Sequence, residues 1–273
     1  MPRASTVVAS ATLLAATLGL TYYGVRRNEH RKATLPHDDR NLRADVPVTE
    51  LEVRSADGAL LMTSSAGDPD GPTVVLPHCW TGSQIIWTPV TRRLIGAGCH
   101  VIRWDQRGHG RSEIGTAGCT VKALGADMAA VLAAYDVRDA VLAGHSMGGM
   151  TVMEYAVDFP ADFDSRVKAI VLVDTAAAGM ENPATKLAPG VLEQNWLDEW
   201  AANPQLGRLM VRATLGTWAA PEHLQVMTED FINTSEQGRV GFAEDFMTLD
   251  LIAGISRIAK PTTILVGALD ALT

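Results

Sequence analysis

The chain of 273 residues is 47% hydrophobic and 20% charged, with 24 Gly and 13 Pro, which suits a globular protein with a good core and excludes a disordered or collagen-like one. Its 31 acidic against 23 basic residues, a net charge of −8, leave no basic face able to neutralise many phosphates, so nucleic acid is not an expected partner. Cys79, Cys99 and Cys119 form no CxxC pair and read as free thiols; neither a metal site nor a cofactor is expected.

Residues 1–45 carry 7 basic and 4 acidic side chains, so the head of the chain differs chemically from its acidic body. From Ala4 to Val25 runs an uncharged stretch of 22 residues, and a helix of that length spans about 33 Å. Tyr22 and Tyr23 end the stretch, and Arg26, Arg27, Arg31 and Lys32 follow it. On the positive-inside rule, residues 1–27 are expected to form a single-pass membrane anchor with the globular part on the cytoplasmic side. A cleaved signal peptide, with secretion, and a soluble helix are competing readings of the same run. Residues 28–46 are polar and read as a linker, and residues 47–273 as the folded domain.

Val48 to Arg54 and Ala59 to Ser64 flank Asp57-Gly58, a dipeptide that favours a hairpin turn, so the domain is expected to open with two antiparallel strands. Short continuous apolar runs follow at Thr73 to Pro77, His100 to Trp104, Ala140 to Ala143, Ala169 to Val173 and Thr262 to Val266, as strands covered on both faces require. Helical stretches at Gln84 to Ile95, Val121 to Ala134 and Met147 to Phe159 alternate with them, which predicts an α/β fold with a mostly parallel sheet and helices on both faces. Between Asp174 and Lys260 the rhythm breaks. Helices are expected at Val191 to Ala202, Glu222 to Asn233 and Val240 to Ile258, forming a helical cap over about residues 178–240. Trp196, Trp200, Met210, Trp218, Met227, Phe231 and Met247 fall in this interval and at helical spacing read as core.

Gly144-His-Ser-Met-Gly148 sets Ser146 between a buried strand and a helix. In that context a GxSxG is a nucleophile elbow: a sharp strained turn projects the serine oxygen, and the Met147 amide at the helix start faces a developing oxyanion. Leu76-Pro-His-Cys-Trp80, Asp105-Gln-Arg-Gly-His-Gly-Arg-Ser112 and Ile264-Leu-Val-Gly-Ala-Leu-Asp270 surround this motif. With these segments the chain resembles the α/β-hydrolase superfamily, in the branch of esterases, lactonases and cofactor-free haloperoxidases, from residue 48 onward. The resemblance implies Ser146 as nucleophile, Trp80 and Met147 as oxyanion donors and Asp270 as the triad acid, with Asp174 as the second candidate for that acid. Cys79 stands where the family has glycine, and the Asp105 to Ser112 loop is structural in the family, so Asp105, Arg107 and His109 receive no chemistry.

The family's base is a histidine after the acid, but only Ala271, Leu272 and Thr273 follow Asp270. His30, His37, His78, His100, His109, His145 and His223 all lie upstream, and none is expected to reach both serine and acid. The expectation is a truncated reading of a longer hydrolase, lacking its last strand and helix. The function expected is hydrolysis of small carboxylic ester or lactone substrates through an acyl-enzyme on Ser146. The alternative is a membrane-tethered, catalytically inactive hydrolase-fold binding protein.

Overall fold

The computed structural model describes residues 40–179, 196–216, 219–268 and 270. β1 (Thr49–Arg54) and β2 (Leu60–Gly67) form the expected hairpin, with Arg54 opposite Leu60. β3 (Thr73–Leu76), β4 (His100–Trp104), β5 (Ala140–His145), β6 (Val167–Val173) and β7 (Thr262–Leu265) complete one sheet in the order β1-β2-β4-β3-β5-β6-β7. β2 is antiparallel to both neighbours, and every other pairing is parallel. Four consecutive residues of β4, Val101 to Trp104, are buried, which is possible only for a strand covered on both faces.

Helix α1 (Thr88–Gly96) lies against β2 and β4, while α2 (Val121–Ala134) and α3 (Met147–Asp158) pack on each other. The predicted helix from Gln84 is in fact two pieces, a 3-10 turn at Gln84–Trp87 and then α1, because Pro89 in the first turn has no N–H to continue an earlier helix. Leu124, Met128, Leu132, Leu142, Tyr155 and Trp104 are fully buried in the core between helices and sheet. α4 (Pro160–Arg166) leads into β6.

Beyond β6, α5 (Trp196–Ala202), α6 (Pro204–Thr214) and α7 (Pro221–Asn233) form a second cluster around Phe231, which is fully buried. Trp200, Met210 and Met227 pack there, as their spacing predicts. Trp218 and the side chain of Trp196 lie outside the described residues. The single helix expected from Val240 to Ile258 is instead α8 (Glu236–Thr248) and a short α9 (Ile252–Ile255). The break has a backbone cause: Gly179 donates to Leu249 O and Leu251 donates to Ala177 O, so the chain between the two helices is extended to pair with residues 177–179.

The single-pass membrane placement is corrected. No helix among the described residues is long and apolar enough to cross a membrane. The longest of them, α2, has 14 residues and a length of about 21 Å, against about 30 Å of hydrocarbon. The run from residue 4 to 25, on which the anchor and signal readings rested, lies outside the described residues. Leu42 and Val46 are buried against the body, and Arg43 pairs with Glu229 on α7.

One buried acid makes stability depend on pH. Glu154 on α3 is 7% exposed, and burial, reinforced by Asp158 one turn on, pushes its carboxyl up to about 7. In the unfolded chain it ionises near 4.5. Its contribution is therefore complete below about 4.5 and is lost as the pH rises toward 7. Glu154→Gln is expected to remove this loss, so the thermal midpoint of the variant relative to wild type should climb between pH 5 and pH 8. A difference independent of pH would refute the assignment.

Candidate active site

The turn from β5 into α3 holds Ser146 at φ 51° and ψ −116°, a conformation that glycine prefers and serine adopts only when its surroundings enforce it. The enforcing contacts are all backbone-directed. Ser146 N donates to Val173 O of β6 at 2.9 Å, and Thr175 Oγ1 donates to Ser146 O at 2.7 Å. The two flanking glycines are steric necessities. A Cβ on Gly144 would stand 2.2 Å from Gly148 O, and one on Gly148 would stand 2.2 Å from Pro77 O. This close approach brings the start of α3 against the loop that follows β3.

That loop carries Trp80. Its indole Nε1 donates to Gly238 O of α8 at 3.0 Å, and its ring meets Phe246 edge-on, so the side chain is pinned on the helical layer. The backbone N–H groups of Trp80 and Met147 donate to no described residue. For Met147 the reason is general, since the first N–H groups of a helix have no carbonyl within it to bond. Met147 follows the Ser146 turn directly, and Trp80 lies three residues beyond Pro77, whose carbonyl meets Gly148. Cys79, where the family has glycine, is buried, and burial pushes its thiol up to about 12, so it is a neutral filler.

A polar relay that the sequence did not disclose joins the two donor segments. Gln106 N donates to His78 Nε2 at 2.8 Å, Gln106 Nε2 donates to His78 O at 2.6 Å, and Thr151 Oγ1 donates to Gln106 Oε1 at 2.7 Å. Thr151 Oγ1 also reaches Met147 O at 2.9 Å. The only hint in the sequence is the polar side chain of Gln106 within an otherwise structural loop.

The rest of that loop is a scaffold. Arg107 is fully buried and holds Asp127 through Nε and Nη2 at 2.7 and 2.6 Å, and Asp57 through Nη1 and Nη2 at 2.8 and 3.1 Å. Burial works against its charge, but the hydrogen bonds to Asp127 and Asp57 outweigh it and place its pKa above the ordinary arginine value. Asp105 accepts from Gln84 N at 2.9 Å and from Arg111 N at 3.1 Å.

The histidines divide clearly. His78 accepts from Gln106 N through Nε2 and donates through Nδ1 to Cys79 O at 2.7 Å. His109 accepts from Thr81 N at 3.0 Å and donates to Arg107 O at 2.9 Å. Burial holds them neutral, near pKa 4 and 3. With both ring nitrogens committed, neither can take a proton from Ser146. His145 packs edge-on to Trp87, burial depresses its pKa, and the charges of Asp174 and Asp270 oppose that depression. Those two acids flank the turn after β7. Asp174 Oδ1 accepts from Gly267 N at 2.6 Å, so that carboxylate ties down the turn, while Asp270 N donates to Gly267 O at 2.9 Å. His30 and His37 lie outside the described residues.

A family profile for the alpha/beta hydrolase fold matches residues 72–228. The non-heme chloroperoxidase of Streptomyces lividans is 34% identical over 150 residues, 55% of this chain and 52% of that protein. The 3-oxoadipate enol-lactonase 2 of Acinetobacter baylyi is 27% identical over 185 residues, 63% of this chain and 62% of that one. The chain thus spans about half to under two thirds of the length of these relatives. Among solved structures, an esterase from Exiguobacterium antarcticum superposes with a TM-score of 0.68 at 21% identity, covering 79% of this chain and 80% of the other, a likeness of fold alone. The strained serine turn, the sheet order and the profile match agree, and the chain belongs to the alpha/beta hydrolase fold family.

Proposed function

We propose that this domain, residues 47–273 with a helical cap over about 178–240, belongs to a serine hydrolase of small carboxylic esters or lactones. The observation that carries this is the enforced conformation of Ser146 together with two open backbone donors. In the proposed reaction, Ser146 Oγ attacks the carbonyl carbon, and the Trp80 and Met147 N–H groups hold the resulting oxyanion. Collapse of the tetrahedral intermediate expels the alkoxide, which takes up the proton released by the serine and leaves an acyl-serine. Water then cleaves the acyl-serine. Asp270 is the acid assigned to orient the base, and Asp174 the anchor of its turn. Relatives named enol-lactonase and esterase support the ester or lactone class.

A serine alcohol is a weak nucleophile until a base takes its proton, so the test compares labelling with and without an added base. The chain is incubated with a fluorophosphonate probe with and without added imidazole, and the label is mapped by mass spectrometry. Labelling at Ser146, accelerated by imidazole, is expected. Labelling elsewhere, or none, would sink the proposal and favour a hydrolase-fold binding protein.

A further inference from the structure

A cavity of about 480 Å³ without Ser146 in its lining lies between the first strands and α7, lined by Val48, Ser83, Ile85, Arg103, Asp105 and Asp230 among others. Its unusual member is Arg103, on β4. Arg103 is 8% exposed, yet it holds no carboxylate of the described residues within ion-pair distance, unlike Arg107, Arg166 and Arg239. Nε reaches Ser64 Oγ at 3.3 Å, and Nη1 reaches Gln84 O at 3.3 Å and Thr88 Oγ1 at 3.2 Å. These are long contacts to neutral oxygens, and Nη2 has no partner among the described residues. Asp105 helps only from a distance, because its two oxygens are taken by the N–H groups of Gln84 and Arg111. The other arginine of the cavity, Arg111, is paired with Glu50. The open N–H edge is not sealed in the core but reaches the cavity, where a single anion can take the place of water on it.

We propose that this cavity binds a short-chain monocarboxylate, with its carboxylate on Arg103 and its alkyl chain against Val48 and Ile85. The charge around the cavity selects this class. Glu50, Asp105 and Asp230 face the same space, so a dianion such as phosphate meets three carboxylates, whereas a single negative charge on the arginine edge meets the least repulsion. Val48 and Ile85 give an apolar tail a surface that an inorganic anion does not use. The site is independent of the chemistry proposed at Ser146.

The test is titration of the isotope-labelled chain with butyrate, and separately with inorganic phosphate, following the Gln84 amide and Arg103 Nε resonances by NMR. Butyrate is expected to give saturable shifts and phosphate none. Arg103→Gln should weaken butyrate binding about tenfold or more, as loss of a charge-assisted hydrogen-bond partner does. Asn233→Trp, at an exposed position on the cavity wall, should block binding equally without touching the core. Should Arg103→Gln fail to fold, Asn233→Trp decides. Ser146→Ala should bind butyrate as wild type does. Absence of saturable shifts, binding that survives in Asn233→Trp or in a folded Arg103→Gln, equal binding of phosphate, or loss in Ser146→Ala would each overturn the proposal.

Discussion

Arg107→Met is expected to destabilise the protein by about 3–5 kcal/mol, among the largest effects available to a single substitution. The guanidinium has no exposed surface and satisfies two carboxylates and Gly118 O at once. Methionine fills much of the volume but leaves Asp127, itself fully buried, as a charge with no counter-ion. Changing both residues, Arg107→Met with Asp127→Leu, should therefore cost much less than the single change, because it removes the uncompensated charge as well. The hydrogen bond from Arg107 also lowers the Asp57 carboxyl to about 2. A depressed acid stabilises the fold above its unfolded pKa, near 4, and that stability drains away as the pH falls toward 2. The variant should lose this acid dependence. Denaturant unfolding between pH 2 and pH 7 measures both effects; a single-mutant loss below about 1 kcal/mol would show that the cluster is not the scaffold described.

Ser146→Gly and Ser146→Ala should both abolish fluorophosphonate labelling, yet only the glycine should raise stability appreciably. At φ 51° and ψ −116° the serine occupies a region where any Cβ is strained. Glycine relieves that strain, and even after its greater unfolded-chain entropy is counted, about 1 kcal/mol of stabilisation is expected. Alanine keeps the Cβ and should gain nothing comparable. Thermal unfolding of the three proteins makes the comparison. Equal midpoints for the Gly and Ala variants would mean that the turn is not enforced by its surroundings, and the observation behind the nucleophile proposal would fall with it.

The parts of this molecule that were legible in its sequence are those where neighbouring residues carry the signal. Ala140 to Ala143 reads as a strand from its apolar run, and His100 to Trp104 reads as one although Arg103 interrupts it, Val101 to Trp104 all being buried. Gly144, Ser146 and Gly148 stood out because one tight turn imposes all three. Helix α6 was missed even though Asn203, whose side chain accepts from Gln205 N and Leu206 N, and Pro204 mark its start. The break at Leu249 to Leu251 could not be read at all, because its cause is pairing with a segment some seventy residues earlier. The Gln106 relay and the open edge of Arg103 escaped for the same reason: each is a meeting of side chains from separate elements and leaves no periodic trace. The membrane placement was drawn from an uncharged run, its terminal tyrosines and the basic cluster after it, all outside the described residues, and no helix among the described residues is long and apolar enough to cross a membrane.

Trp80 belongs to two parts of the molecule at once. Its backbone belongs to the loop whose Pro77 and His78 carbonyls meet Gly148, and its indole is fastened to Gly238 on the helical layer. A shift of that layer that accommodates a bulkier guest would drag the amide with it. Under the hydrolase reading, selectivity and speed are then mechanically geared, and directed evolution toward new substrates by changes in α8 should repeatedly surrender turnover unless the indole tether is rebuilt alongside.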